Sequence, residues 1–180
     1  MKGSKTIKIP KDIIKQLQTI NANYEQQGII VPDSTDTFLY DKILLRYDSH
    51  EDNQICKMSD IVFDTVSFHT HPKECYEMFN TTRGWPSVYD LDSFLGLDKI
   101  KVMIVLSLEG IYVLVKKSPS TSHLSKGVWE KYNNRFKKVG AKVLSIEEYI
   151  VELNEYFQED AKIYLVKKEE NLKDFIISFV

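Results

Sequence analysis

A chain of 180 residues with 43% hydrophobic and 28% charged side chains has the material for one domain with a real core, and argues against a disordered or fibrous protein. Its 24 basic and 26 acidic residues are dispersed, leaving a formal charge of -2 and none of the basic excess that a nucleic-acid partner requires. The longest apolar runs, such as residues 102–106, fall far short of the roughly 20 residues that cross a bilayer.

No signal-type apolar region follows Met1, and Cys56 and Cys75 are too few for a disulfide framework, so an intracellular location, cytoplasmic or nuclear and without membrane association, is expected. The two cysteines read as plain thiols.

In chain order, residues 6–9 read as a short strand. Pro10 then opens a helix in which Ile13, Leu17 and Ile20 recur on one face, ending near Asn23. Residues 24–31 and 37–47 read as strands joined through Pro32-Asp33-Ser34, a turn composition that predicts a hairpin. After a polar loop over 48–60, the β-branched and aromatic run 61–68 predicts a strand leading straight into His69. A loop over 72–86 follows. Ser87 stands three residues before Asp90, just ahead of Leu91, Phe94 and Leu95 and with Gly96 behind, which predicts a capped helix from Ser87 to Leu95.

Residues 101–108 and 111–116 predict a hairpin around Glu109-Gly110. Beyond Ser118-Pro119-Ser120, helices are predicted near 127–138 and 146–157, then strands near 162–166 and 175–180, the last of these a strand or an interface because it is apolar to the final residue. Interleaved strands and helices predict an α/β (α+β) fold built on a mixed β-sheet flanked by helices. Its expected division is a core over 1–118 and a C-terminal α/β extension over 119–180 packed on that core.

The string that carries chemistry is His69-Thr70-His71-Pro72, followed by Ser87-Val88-Tyr89-Asp90. Residues two apart on a strand share a face, so His69 and His71 can present both imidazoles to one ion. Asp90, one turn into the next helix, can bring a carboxylate to the same point and complete the three-ligand shell of a catalytic zinc with one position left open. Neutral imidazoles and one carboxylate leave the ion a net positive charge, as carbonyl polarisation and water activation require. Plainer readings stand beside this: hydrogen-bonded imidazoles at a strand end, and a Ser87/Asp90 helix cap that is compatible with a chemical role. His50 and His123 have no partner in sequence and read as solvated loop residues.

An upstream glutamate, then His-Thr-His-Pro, then Ser-x-x-Asp resembles the pattern of the JAMM/MPN+ (Mov34/MPN/PAD-1) zinc metallopeptidases. Glu25-Gln26-Gln27-Gly28-Ile29-Ile30 is similar to the family's Glu-x-x-Gly-aliphatic-aliphatic context. The resemblance covers residues 7–115 and leaves the last third of the chain outside. Two features depart from the pattern: the interval from His71 to Ser87 is longer than in the family, and Thr65-Val66-Ser67-Phe68 lacks a glycine many members carry.

The resemblance implies a JAMM/MPN-like core over 1–118, with zinc (Zn2+) held by His69, His71 and Asp90, Glu25 as general base and Ser87 as donor to the developing oxyanion. It further implies hydrolysis of an amide or isopeptide bond, with ubiquitin or a ubiquitin-like conjugate as substrate. The alternative is a scaffold or interaction subunit of a larger assembly, its zinc site closed or silent. A structural zinc site is disfavoured because such sites are closed by four protein ligands and usually contain cysteine, although Cys75 lies close in sequence.

Residues 73–85 mix Tyr76, Phe79 and Trp85 with Lys73, Glu74, Glu77 and Arg83, the composition of a surface that contacts a polypeptide. A solvated insertion whose aromatics pack on the domain is the plainer reading.

Overall fold

The computed structural model describes residues 5–20, 25–36, 38–48, 65–97, 99–117, 126–140, 145–157, 160–167 and 172–179. Asn23, Tyr24, Thr37, the loop 49–60 with His50 and Cys56, residues 61–64, Ser118-Pro119-Ser120, His123 and Val180 lie outside them.

Strand β1 (Lys5–Ile9) runs into Pro10, whose fixed φ of -60° suits the entry to α1 (Lys11–Gln18). The helix ends earlier than its apolar spacing predicts. Thr19 donates its hydroxyl to the Gln16 carbonyl at 2.7 Å, and its amide is shared between the Lys15 and Gln16 carbonyls, which tightens the last turn and stops propagation. Next come β2 (Gln26–Pro32) and β3 (Tyr40–Asp48), the predicted hairpin. β3 starts later than expected because Asp36 Oδ1 accepts from the Phe38 amide at 2.9 Å and the Asp36 carbonyl from the Leu39 amide at 3.1 Å, continuing the turn where strand was predicted.

β4 (Thr65–Thr70) is followed by α2 (Lys73–Met78), inside a stretch expected to be loop, and by α3 (Val88–Gly96). β5 (Ile100–Leu106) and β6 (Gly110–Lys116) form the second predicted hairpin. The chain closes with α4 (Lys126–Gly140), α5 (Ile146–Tyr156), β7 (Ala161–Lys167) and β8 (Phe175–Phe179).

Six strands make one sheet in the order β3-β2-β4-β5-β6-β7, and β1 pairs with β8 in a separate two-stranded ribbon. Among the described strand pairs β4 and β5 run parallel, joined through α2 and α3, and the others are antiparallel. The result is a mixed α+β fold around a mixed sheet. The pleat sends alternate side chains to opposite faces, and both faces are covered. Met103 and Val105 of β5 and Tyr112 and Leu114 of β6 pack with Leu91, Phe94 and Leu95 of α3 and with Tyr149 and Leu153 of α5. Their neighbours Val102, Ile104, Ile111 and Val113 face Ile13, Ile14 and Leu17 of α1 and the β1/β8 ribbon.

Residues beyond 118 thus supply an edge strand of the sheet and part of the core on the α3 face. Among the described residues no helix is long and apolar enough to cross a membrane.

Candidate metal centre

His69 is the penultimate residue of β4, in register with Gln27 of β2 on one side and Val105 of β5 on the other. Val66 and Phe68 belong to the α1-side core, so the pleat turns His69 to the α3 side. His71 extends the strand by one rung, its amide donating to the Leu106 carbonyl at 2.7 Å. Pro72 favours this extended conformation in the residue before it and then leads into α2. Both imidazoles therefore face the same way, with Nε2 atoms 3.2 Å apart and ring centroids 4.9 Å apart.

Asp90 reaches them from α3, and the helix cap aims it. Ser87 Oγ accepts from the Asp90 amide at 3.2 Å while Asp90 Oδ2 accepts from the Ser87 amide at 2.6 Å, a reciprocal capping box that folds the carboxylate back over the helix start. There Oδ1 lies 3.2 Å from His69 Nε2 and Oδ2 lies 3.5 Å from His71 Nε2.

Glu25 arrives at the head of β2. The Gln26 amide donates to Thr70 Oγ1 at 2.8 Å, tying that strand start to the end of β4. Glu25, His69 and His71 offer ligand atoms that all lie within 4.8 Å of one another, a group that could hold a metal ion. Asp90 is not in that group, but its oxygens lie 3.2 and 3.5 Å from the two histidine Nε2 atoms, and Ser87 is tied to Asp90 through the capping box. His69 is 1% exposed, and Glu25 and Asp90 are 8% exposed, so the carboxylates and the imidazoles meet in a medium that screens charge poorly.

The electrostatics follow from that enclosure. Burial opposes charging of His71, but the hydrogen bond and charge of Asp90, with Glu25 and the Gly84 carbonyl, outweigh it and raise its pKa. Burial likewise opposes ionisation of Asp90, yet His69 and His71 hold its pKa well below the usual carboxylate value. The donor chemistry suits a cation. His71 Nδ1 sits 3.0 Å from the Gly84 carbonyl, which can only accept, so the neutral ring carries its proton there and keeps a lone pair on Nε2. Two nitrogens bound about 2.0–2.1 Å from one tetrahedral zinc would stand roughly 3.3 Å apart. The histidine pair is already at that spacing.

Cys75, on α2, is not part of this group among the described residues. Burial, then the charges of Glu25, Asp90 and Glu74, push its thiol up to about 12, which keeps it protonated at neutral pH.

The reading of residues 73–85 as a contact surface is corrected for two of its three aromatics. Trp85 is 0% exposed and packs edge-on against Tyr112 and Tyr149 at 5.0 and 4.2 Å, so it is core. Tyr76 is buried with its hydroxyl on Glu109, and Phe79 alone of the three stays exposed. Sequence reasoning missed Thr70 as the anchor of the strand bearing Glu25, and Gly84 as the partner of His71. A backbone carbonyl leaves no mark in a sequence, so no signal pointed to the second.

Comparison with protein-family models, with curated proteins and with solved structures finds no match to this chain.

Proposed function

We propose that this protein is a zinc-dependent metallo-isopeptidase that hydrolyses an amide or isopeptide bond, with a ubiquitin or ubiquitin-like conjugate as substrate. The observation that carries the reading is the convergence of His69, His71 and Asp90 on one point with Glu25 beside it. The ordered JAMM/MPN+-like motif supplies the reaction type and the substrate class.

His69, His71 and Asp90 would hold the ion. When bound, zinc supplies Lewis acidity, polarising a carbonyl and making water acidic enough to lose a proton near neutral pH. Glu25 would accept a proton from the attacking water and return it to the leaving amine. Ser87 accepts from the Asp90 amide, a bond that leaves its own hydroxyl proton free to donate to the oxyanion. One such donor is worth about 2.7–4 kcal/mol of barrier.

Zinc content and cleavage of a panel of ubiquitin-like conjugates test the proposal together. His71→Ala and Asp90→Asn should lose zinc, while Glu25→Gln should keep zinc and fold and lose turnover. Zinc retained by Asp90→Asn but lost from Glu25→Gln would exchange the two roles. Equal zinc in wild type and His71→Ala would sink the metal centre. The near-complete burial of His69 favours one second reading, a scaffold subunit whose site is closed. That reading expects stoichiometric zinc with no cleavage of any conjugate in the panel.

A further inference from the structure

We propose that Glu109 is a positioning residue of the metal centre, acting through Gly84 on the orientation and tautomer of His71. The inference rests on the reading of His71 as a metal ligand and adds what holds that ligand in place.

Glu109 lies in the turn between β5 and β6, outside the motif, and three donors converge on its carboxylate. The Gly84 amide and the Tyr112 hydroxyl donate to Oε1, each at 2.8 Å, and the Tyr76 hydroxyl donates to Oε2 at 2.5 Å. Tyr76 in turn accepts from the Leu108 amide at 3.0 Å, so its proton is directed at Glu109 and not elsewhere. Burial, reinforced by the Glu109 carboxylate, raises the pKa of both tyrosines, and each remains a neutral donor.

Gly84 is the link. Its amide is fixed by Glu109 and its carbonyl meets His71 Nδ1 at 3.0 Å. Its position has no slack: a Cβ there would stand 2.0 Å from Tyr76 Oη and 2.7 Å from Ser107 Cβ. Metal-bound histidines commonly donate their second nitrogen to a carboxylate or carbonyl that fixes the tautomer, and loss of such a partner costs about 10–100-fold in metal affinity. Here the carbonyl belongs to the segment between α2 and α3, and Glu109 pins it. An alanine at 109 would leave the Gly84 amide and two hydroxyls without their acceptor. A glutamine keeps one acceptor oxygen but turns a second set of donors toward groups that already donate.

The experiment measures zinc affinity by chelator competition, and the His71 tautomer by imidazole nitrogen NMR on zinc-free protein at a pH high enough for the ring to be neutral, for wild type, Glu109→Ala and Glu109→Gln. Wild type should show His71 protonated on Nδ1. Glu109→Ala should bind zinc about 10–100-fold more weakly and show a mixed tautomer. Glu109→Gln, the variant more certain to fold, should fall between.

Affinity lost with the tautomer unmoved would reduce Glu109 to general support of the fold and overturn the proposal, as would folded variants with unchanged affinity. A wild type without zinc affinity would end the metal reading along with this one. Zinc-binding wild type with unaffected variants would end only the role of Glu109.

Discussion

His71 carries three constraints at once: its Nδ1 belongs to the Gly84 carbonyl, its Nε2 faces His69, and two carboxylates bias it toward protonation. Proton and metal compete for Nε2. Because the pKa of His71 is raised above 6.5, zinc affinity should begin to fall at a pH above that of an unperturbed imidazole. An affinity that stays flat down to pH 6 would contradict this. The same shift makes protonated His71 a stabilising group of the zinc-free fold, a contribution fully present below pH 6.5 and lost as pH rises through the raised folded value.

Gly28 is constrained by contact instead of charge. A Cβ there would lie 2.4 Å from the Leu44 carbonyl and 2.6 Å from the Phe68 ring, one position before which sits Gln27, the register partner of His69. Gly28→Ala should destabilise by about 1–3 kcal/mol in urea unfolding, and an unchanged midpoint would show that β2 and β3 part freely. At this scale the sequence was informative wherever chemistry resides in side-chain type and spacing, as with Glu25, His69, His71 and Asp90. It was silent where a main-chain group does the holding, as at Gly84.

The element that aims Asp90 is α3, and it is held at both ends. At its start is the Ser87/Asp90 capping box, legible because the pattern is local in sequence. At its end Lys116, 2% exposed on β6, donates from Nζ to the Leu95 and Leu97 carbonyls at 3.3 and 2.9 Å, with the ammonium 5.2 Å from the Phe94 ring. A cation at the carbonyl end of a helix also meets the negative pole of its dipole. Nothing local to Lys116 announces this contact, since its partners lie 19 and 21 residues away.

Lys116→Met should cost about 1–3 kcal/mol by leaving those carbonyls without their donor, and should weaken zinc binding because Asp90 rides on the loosened helix. Retained urea midpoint and zinc affinity would count against both. Ser87 has two separable roles. Ser87→Ala should cost about 1 kcal/mol of stability and Ser87→Gly only a few tenths, whereas turnover should fall equally in both. Turnover tracking stability instead would confine Ser87 to capping. α2 escaped the reading because it is six residues long, has no side-chain cap and buries only Tyr76, too short for an apolar period to show.

At the scale of the whole molecule, the α+β class was legible because strand and helix periods alternate along the chain. The pairings β1 with β8 and β6 with β7 were not, since partners so distant in sequence leave no local period. These pairings bear on how the last third of the chain relates to the site. β8 sits on the α1 side of the molecule, where Ile177 joins Ile7 and Ile9 in the core. Deleting residues 172–180 should remove about 1.5–3 kcal/mol of burial and lower the melting temperature by roughly 5–10 °C. Zinc affinity should hold, because α3, which carries Asp90, packs on the opposite face of the sheet from β8.

Ending the chain at 118 is a different injury. It strips α5 and β7 from the core face shared with Trp85, Leu91 and Phe94, the packing that seats α3 and the segment leading to it. The 1–118 fragment should therefore lose zinc affinity as well as stability, with melting and chelator titration as the two measurements. A fragment that melted cooperatively and bound zinc like the full chain would make 119–180 an accessory to a self-sufficient core, and α3 would owe its position to β5 and β6 alone.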